Sequence, residues 1–141
     1  LELLVVLALA TLLLAIAPPL ITAALPGVEI KSSARQIAAG LRLAREEAIR
    51  SGQDVAFTLD LENRHFEVEG GFRRVSLPDT IELKLTAAES EMIDDQVGGV
   101  RFYPDGSSTG GRVIVYTGNS GWQVGVQWLT GRIRLAPWED Q

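Results

Sequence analysis

The sequence contains no cysteine, so neither a disulfide framework nor a thiolate metal site enters the account, and redox chemistry leaves the compartment open. Histidine occurs once, as His65 between Arg64 and Phe66. A zinc site or a catalytic triad would have to draw everything else from carboxylates, and no spacing here arranges them so. Positive charge is also short. The 13 basic residues stand against 18 acidic ones, a net charge of −5, which lacks the overall basic footprint of a nucleic-acid-binding protein. The Gly- and Ser-rich stretch Pro104 to Gly111 has no Gly-Lys-Ser/Thr ending and runs into the strand pattern Arg112-Val113-Ile114-Val115, so it reads as a hairpin loop rather than a phosphate cradle. The acidic run Glu89, Glu91, Asp94 and Asp95 lacks the Asp/Gly periodicity of a calcium loop. No catalytic, cofactor-binding or metal-ligating set emerges, and the chain does not read as an enzyme.

What the chain has in excess is one long apolar run. From Leu3 to Leu25 there is no charged residue, and Thr11 and Thr22 are the only polar side chains. As a helix rising ~1.5 Å per residue it would be roughly 34 Å long, enough to cross a hydrocarbon core of about 30 Å. Buried helices of soluble domains usually stop at about 10–14 apolar residues, and the remainder of this chain is too short to wrap such a segment. A secretory signal would carry a basic stretch before the run and small residues at a cleavage site after it, whereas here the run follows Glu2. The reading is a transmembrane or filament-core helix over residues 1–25 that needs a bilayer or another protein around it. Glu2 sits in its first turn, where the positive end of the helix dipole favours a carboxylate. The nearest cation in sequence is Lys31, too far along the helix, so an ionic partner for Glu2 would belong to another chain. The doubled Pro18-Pro19 predicts a bend or local unwinding, and Pro26-Gly27 a second weak point.

Over residues 26–52 the pattern becomes amphipathic. Ile30, Ala34, Ile37, Leu41, Ala44 and Ala48 recur at alternating spacings of four and three, one narrow apolar stripe whose small residues let a sheet approach closely. Arg35, Arg42, Arg45, Glu46, Glu47 and Arg50 mostly line the other side as a solvated face, with Arg42/Glu46 and Glu46/Arg50 spaced for pairing. Ser51-Gly52 supplies the stop. Over residues 53–141 the period falls towards two, and strands are predicted at 55–61, 65–68, 72–77 and 81–85 as a meander, then at 100–103, 112–116, 122–128 and 132–135. Thr86 to Gly99 reads as a surface excursion, mobile or used for contact. The predicted fold is α+β: a long N-terminal helix, transmembrane then amphipathic, covering an antiparallel β-sheet head.

Leu1-Glu2-Leu3-Leu4-Val5-Val6 followed by this helix resembles the start of type IV pilins and type II secretion pseudopilins. Leu43-Ala44-Arg45-Glu46-Glu47-Ala48-Ile49-Arg50 with Gln53, the segment Arg101 to Gly111, Trp122, and Leu129-Thr130-Gly131-Arg132-Ile133-Arg134 are similar to the GspH/FimT group of minor pseudopilins and pilins. The resemblance covers nearly the whole chain with its parts in order. It implies a pilin-like fold and a minor pseudopilin of a type II secretion system, a structural subunit at or near the tip of the periplasmic pseudopilus. Inner-membrane anchorage, a methylated N-terminus, other pseudopilins as partners and contact with exported proteins go with that. The family's glutamate, which pairs with a neighbour's N-terminal amine during assembly, falls on Glu2, and its helix-loosening proline on Pro19, doubled here by Pro18.

The other reading is a minor pilin of the FimT type that binds DNA during natural transformation. Residues 96–134 contain four arginines and one aspartate, and Gly131-Arg132-Ile133-Arg134 places Arg132 and Arg134 on one face of a strand. The resemblance gives a Gly-Arg-x-Arg element in that branch a role in holding DNA phosphates. Two arginines near Glu139 and Asp140 supply few of the contacts that non-specific DNA binding needs, and paired arginines also serve to solubilise an edge strand. Trp122 and Trp128 fall in strand patterns and are expected in the core or on a sheet face. Trp138 follows Pro137 in the acidic tail and is the tryptophan expected to make contacts.

Overall fold

The computed structural model describes residues 1–15, 27–71 and 74–141. One helix, α1 (Glu2–Ser51), precedes eight strands: β1 (Val55–Asp60), β2 (His65–Val68), β3 (Val75–Ser76), β4 (Glu82–Ala87), β5 (Val97–Phe102), β6 (Gly111–Thr117), β7 (Ser120–Val126) and β8 (Ile133–Glu139). A single 3-10 turn, Glu89–Glu91, lies between β4 and β5. The expected bend at Pro18, Pro19 and Pro26 lies outside the described residues. Among the described residues no helix is long and apolar enough to cross a membrane, and the span expected over 1–25 includes side chains outside that set.

The helix ends where a glycine lets it. Gly52 takes the left-handed conformation, φ 67°, and its N–H closes on the Ala48 carbonyl at 3.1 Å. Over the second half of α1 the stripe Ile30, Ala34, Ile37, Leu41, Ala44 and Ala48 is buried, widened by Ser33 and Ala38. Arg50 pairs with Glu47, three residues back, at 2.5 Å, in place of the expected Glu46.

All strand pairs are antiparallel and form two four-stranded sheets, in the orders β3-β2-β1-β5 and β4-β6-β7-β8. Alternation decides which side of each strand faces α1. Val55, Phe57 and Leu59 of β1, Phe66 and Val68 of β2, Val100 and Phe102 of β5, Val113 and Val115 of β6, and Val124 and Val126 of β7 turn inward into one core. The rings of Phe57 and Phe66 stack with centroids 5.1 Å apart beneath the helix.

One expectation is corrected. The predicted four-strand meander breaks after β3, because β4 pairs with β6 in the other sheet, Leu83 and Leu85 lying opposite Val115 and Val113. The excursion Thr86 to Gly99 carries regular structure of its own. β4 runs on to Ala87, the 3-10 turn follows, and Met92 bridges to Gly98, so that β5 begins at Val97. Asp94 closes that turn, its Oδ1 accepting from the Gln96 N–H at 2.7 Å and the Val97 N–H at 2.8 Å. Arg101 then ties the turn to the sheet, donating to Glu91 at 3.2 Å.

Candidate assembly and contact surfaces

The first half of α1 is a surface without a cover. Every described side chain from Leu1 to Ala15 is exposed, Leu3 at 74% and Leu14 at 71% among them. The polar group in this stretch turns inward on its own helix: the Thr11 hydroxyl donates to the Leu7 carbonyl at 3.0 Å. Glu2 lies in the first turn, exposed, and no ion pair among the described residues includes it.

At the other end of α1 three stretches meet. Arg45 is half-buried rather than solvated: its Nε donates to the Gly106 carbonyl and its Nη2 to the Thr130 carbonyl, both at 3.2 Å. Gly131 takes φ 66°, and a Cβ built there would come within 2.0 Å of the Gly106 oxygen. The helix, the β5–β6 loop and the β7–β8 turn are thereby pinned at one point. Around it the backbone is closely bonded: the Ser108 N–H donates to the Trp128 carbonyl at 2.7 Å and the Gly131 N–H to the Gln127 carbonyl at 2.8 Å. The β5–β6 loop holds itself through Asp105, whose carboxylate accepts from the Ser107 hydroxyl at 2.6 Å and from the Ser107 N–H at 3.0 Å. These bonds, the hydroxyl's foremost, hold the Asp105 carboxyl below the usual range.

The sheet face turned away from α1 carries the arginines. Arg112 of β6, Gly125 of β7 and Arg134 of β8 lie opposite one another in a cross-strand row, and Arg132 stands beside Gln127 just before β8. Arg132 and Arg134 are both exposed and share this face, as expected from their spacing. With Gly125, Val126 and Gln127 they line a shallow trough of about 220 Å³. The opposite end of the same face is acidic and aromatic: Glu82, Tyr116, Gly121 and Trp138 form its last row, with Asp140 just past the end of β8. Burial, reinforced by the charges of Glu82 and Asp140, pushes the Tyr116 hydroxyl above its usual value.

Trp128 and Trp138 are placed otherwise than expected, whereas Trp122 lies on a sheet face packed against the core. Trp138 is half-buried against Tyr116, centroids 5.2 Å apart, with Lys84 Nζ over both rings at 4.9 and 5.4 Å. Trp122 faces α1 beneath Lys31, whose Nζ is 5.0 Å from the ring. The exposed tryptophan is Trp128, at 65%, beside Leu129 at 64%. The strand expected to reach 128 stops at Val126, and residue 128 stands in the turn. His65 lies in β2 opposite Asp60, and among the described residues no group of His, Asp and Glu side chains is arranged to hold a metal ion.

Comparison with known proteins gives a consistent result. The profile of a family described as type II transport protein GspH matches residues 33–131. Over 137 residues, 97% of this chain and 80% of the relative, the sequence is 35% identical to the type II secretion system protein H of Xanthomonas campestris pv. campestris. Among solved structures, the minor pseudopilin EpsH from the type 2 secretion system of Vibrio cholerae matches with a TM-score of 0.62 at 20% identity, over 78% of this chain and 97% of that one. The type IV minor pilin FimU of Pseudomonas aeruginosa matches with a TM-score of 0.59 at 18% identity, over 77% of this chain and 89% of that one. At these identities the structural likenesses speak for the fold: a long N-terminal helix carrying an antiparallel β head.

Proposed function

The chain belongs to the GspH family of type II transport proteins and is a pseudopilin-fold subunit of type II secretion, and from that premise we propose how it works. It acts mechanically. Residues 1–25 anchor it in the inner membrane and later pack into the core of a short periplasmic filament. Residues 26–52 carry the helix onto the head, and residues 53–141 present the head's surface to other pseudopilins at or near the tip and to exported proteins. The observation that carries this reading is the helix that changes partner halfway. Its second half is buried by the head from Ile30 on, while its first half offers exposed leucines and valines to whatever surrounds it. Such a surface is stable in lipid or against other apolar helices and costly in water.

Glu2 gives the packing its register. Moved from water into an apolar bundle, an unpaired carboxylate costs several kcal/mol, of order 3–5, whereas one matched with a neighbour's N-terminal amine is tolerated. Only the axial stagger that brings the two together is then allowed. The pilin alternative, with DNA as ligand, has weaker support, resting on fold likeness at 18% identity against 35% for the secretion relative.

The test is Glu2→Ala in cells that assemble the secretion filament. The variant is expected to insert in the membrane and keep a folded head, yet to be lost from filaments by at least tenfold, as judged by cross-linking to neighbouring subunits. Incorporation at the wild-type level would remove the register role and with it the proposed mechanism.

A further inference from the structure

Beyond α1, three large apolar side chains of the described residues stand in solvent: Ile93, Trp128 and Leu129. Two of them are neighbours in the β7–β8 turn, and that turn is rigid. Its backbone is bonded to β5–β6 through Ser108 and to itself through Gly131, and Arg45 holds Thr130 from the helix. Ile49, 47% exposed in the last turn of α1, extends the same apolar corner past Gly106: a Cβ on that glycine would lie 3.6 Å from Ile49 Cδ1. A tryptophan fixed in water gains nothing for folding, but it is a prepaid contact, since little side-chain freedom is lost when it is covered.

The arginines beside it lack carboxylate partners among the described residues, Arg112 donating to the Gln123 side chain at 3.5 Å. Three arginines meet carboxylates, Arg50 with Glu47, Arg74 with Glu67, and Arg101 with Glu91 and Glu69, whereas Arg35, Arg42, Arg45 and Arg64 are in no ion pair among the described residues. Among the described residues no carboxylate stands within 4.0 Å of Arg112, Arg132 or Arg134. Gly125 between Arg112 and Arg134 leaves nothing within 4 Å of where its Cβ would be, so the row is a trough open to an incoming group.

Resting on the filament reading above, we propose that Trp128 and Leu129 with Arg132 and Arg134 form the docking surface for a neighbouring filament subunit. That subunit presents a carboxylate-bearing turn with an apolar side chain at its apex. The chemistry of such a turn is visible in this chain. Ile93-Asp94-Asp95 has Ile93 73% exposed and its backbone locked by Asp94. It adjoins Val97, which pairs with Asp60 at the end of β1 away from α1's C-terminus, so it lies towards the opposite end of the head from Trp128. A contact between unlike ends of successive subunits is heterologous and propagates as an open helix, the geometry a filament requires. The same polarity runs through the outer face of β4-β6-β7-β8, basic at the Arg112–Arg134 row and acidic at Glu82, with Asp140 just past the end of β8. A polyanion lying along the face would meet those carboxylates, and it would leave Trp128 and Leu129 without use. A protein turn uses both the apolar corner and the charges.

The test uses the full chain in neutral detergent micelles and a labelled peptide spanning residues 88–99 as the acidic-turn probe, read by fluorescence anisotropy, with duplex DNA in parallel. Saturable peptide binding is expected, weakened at least tenfold by Trp128→Ala, by Arg132→Glu/Arg134→Glu, and by Asp→Asn changes at both aspartates of the peptide. Unchanged far-ultraviolet dichroism and a cooperative melt establish that the variants are folded. Absence of peptide binding at millimolar concentration, or binding indifferent to these changes, overturns the proposal. So does duplex DNA binding that needs the arginines and ignores Trp128. In cells, Arg132→Glu/Arg134→Glu with Glu2 intact is expected to reach the membrane but cross-link poorly to its neighbours. Normal cross-linking by that variant overturns the docking surface and leaves the filament reading standing, whereas normal cross-linking by Glu2→Ala removes the filament reading itself.

Discussion

Arg45 and Gly131 hold the corner where the end of α1 meets the β5–β6 and β7–β8 loops by different means, and their substitution should separate the two. Arg45 contributes two charge-assisted hydrogen bonds to carbonyls of loops distant in sequence, partly accessible to water, so Arg45→Ala should lower the unfolding free energy by about 1 kcal/mol. Gly131 combines a positive φ with backbone contact: an L side chain must be both left-handed and within 2.0 Å of the Gly106 oxygen. Left-handed backbone alone costs roughly 1–2 kcal/mol, and the turn must open besides. Gly131→Ala is therefore expected to cost about 2 kcal/mol or more in denaturant unfolding and to exceed Arg45→Ala. The reverse order would mean that Arg45, not the glycine contact, sets the corner. Little of this was legible in the sequence. Arg45 occupies the charged side of α1 beside Arg42 and Glu46, and nothing in helical spacing says that its partner Thr130 lies 85 residues away. Trp128 was misplaced for a related reason: the alternation from Trp122 runs on past Val126, and the turn is held by a tertiary bond from the Ser108 N–H to the Trp128 carbonyl beside the local bond from the Gln127 N–H to the Arg132 carbonyl.

At the scale of the element, α1 shows where periodicity suffices. The stripe from Ile30 to Ala48 was readable because burial follows the helical repeat, and β1 and β2 because theirs follows the pleat. The assignment of β4 to the second sheet was not readable, since alternation states which face is apolar but not which strand will cover it. The excursion before β5 was obscured by its carboxylates, which look like solvated charge yet serve as turn acceptors and as partners of Arg101. Gly40 is a sharper case of element packing. In a helix interior Gly is about 1 kcal/mol worse than Ala, so Gly40→Ala should stabilise α1 on propensity alone. Here the added Cβ would lie 2.5 Å from Phe66 Cε2 and 3.0 Å from Phe57 Cε2, against a ring pair already stacked between helix and sheet. Overpacking of this kind costs typically 1–3 kcal/mol, which outweighs the propensity gain. Net destabilisation of about 1 kcal/mol is expected from chemical unfolding. Stabilisation would show that the helix can lift from the Phe57–Phe66 stack without loss.

Taken whole, the molecule is a folded head and an unpartnered rod sharing one helix, and the division between them can be located. No described side chain before Ile30 is buried, and the outermost ties of the helix to the head are the hydrogen bond between Thr80 and Glu29 and the stacking of Lys31 on Trp122. A fragment beginning at Val28 keeps all of these, and every described side chain that it sheds is exposed. A domain of this size buries about 65% of the surface its unfolded chain exposes, enough for independent folding. Fragment 28–141 is therefore expected to unfold cooperatively in water, with a Tm within about 5 °C of that of the full chain in detergent, since a loss below about 1 kcal/mol moves a small domain no further. The full chain without detergent should instead self-associate, because the leucines and valines of the first half of α1 have no cover of their own. A broad, non-cooperative melt of the fragment, with dye-binding apolar surface, would place part of the head's stability in residues 1–27. The helix would then be a single folding unit with the head rather than a rod that changes environment when the subunit leaves the membrane.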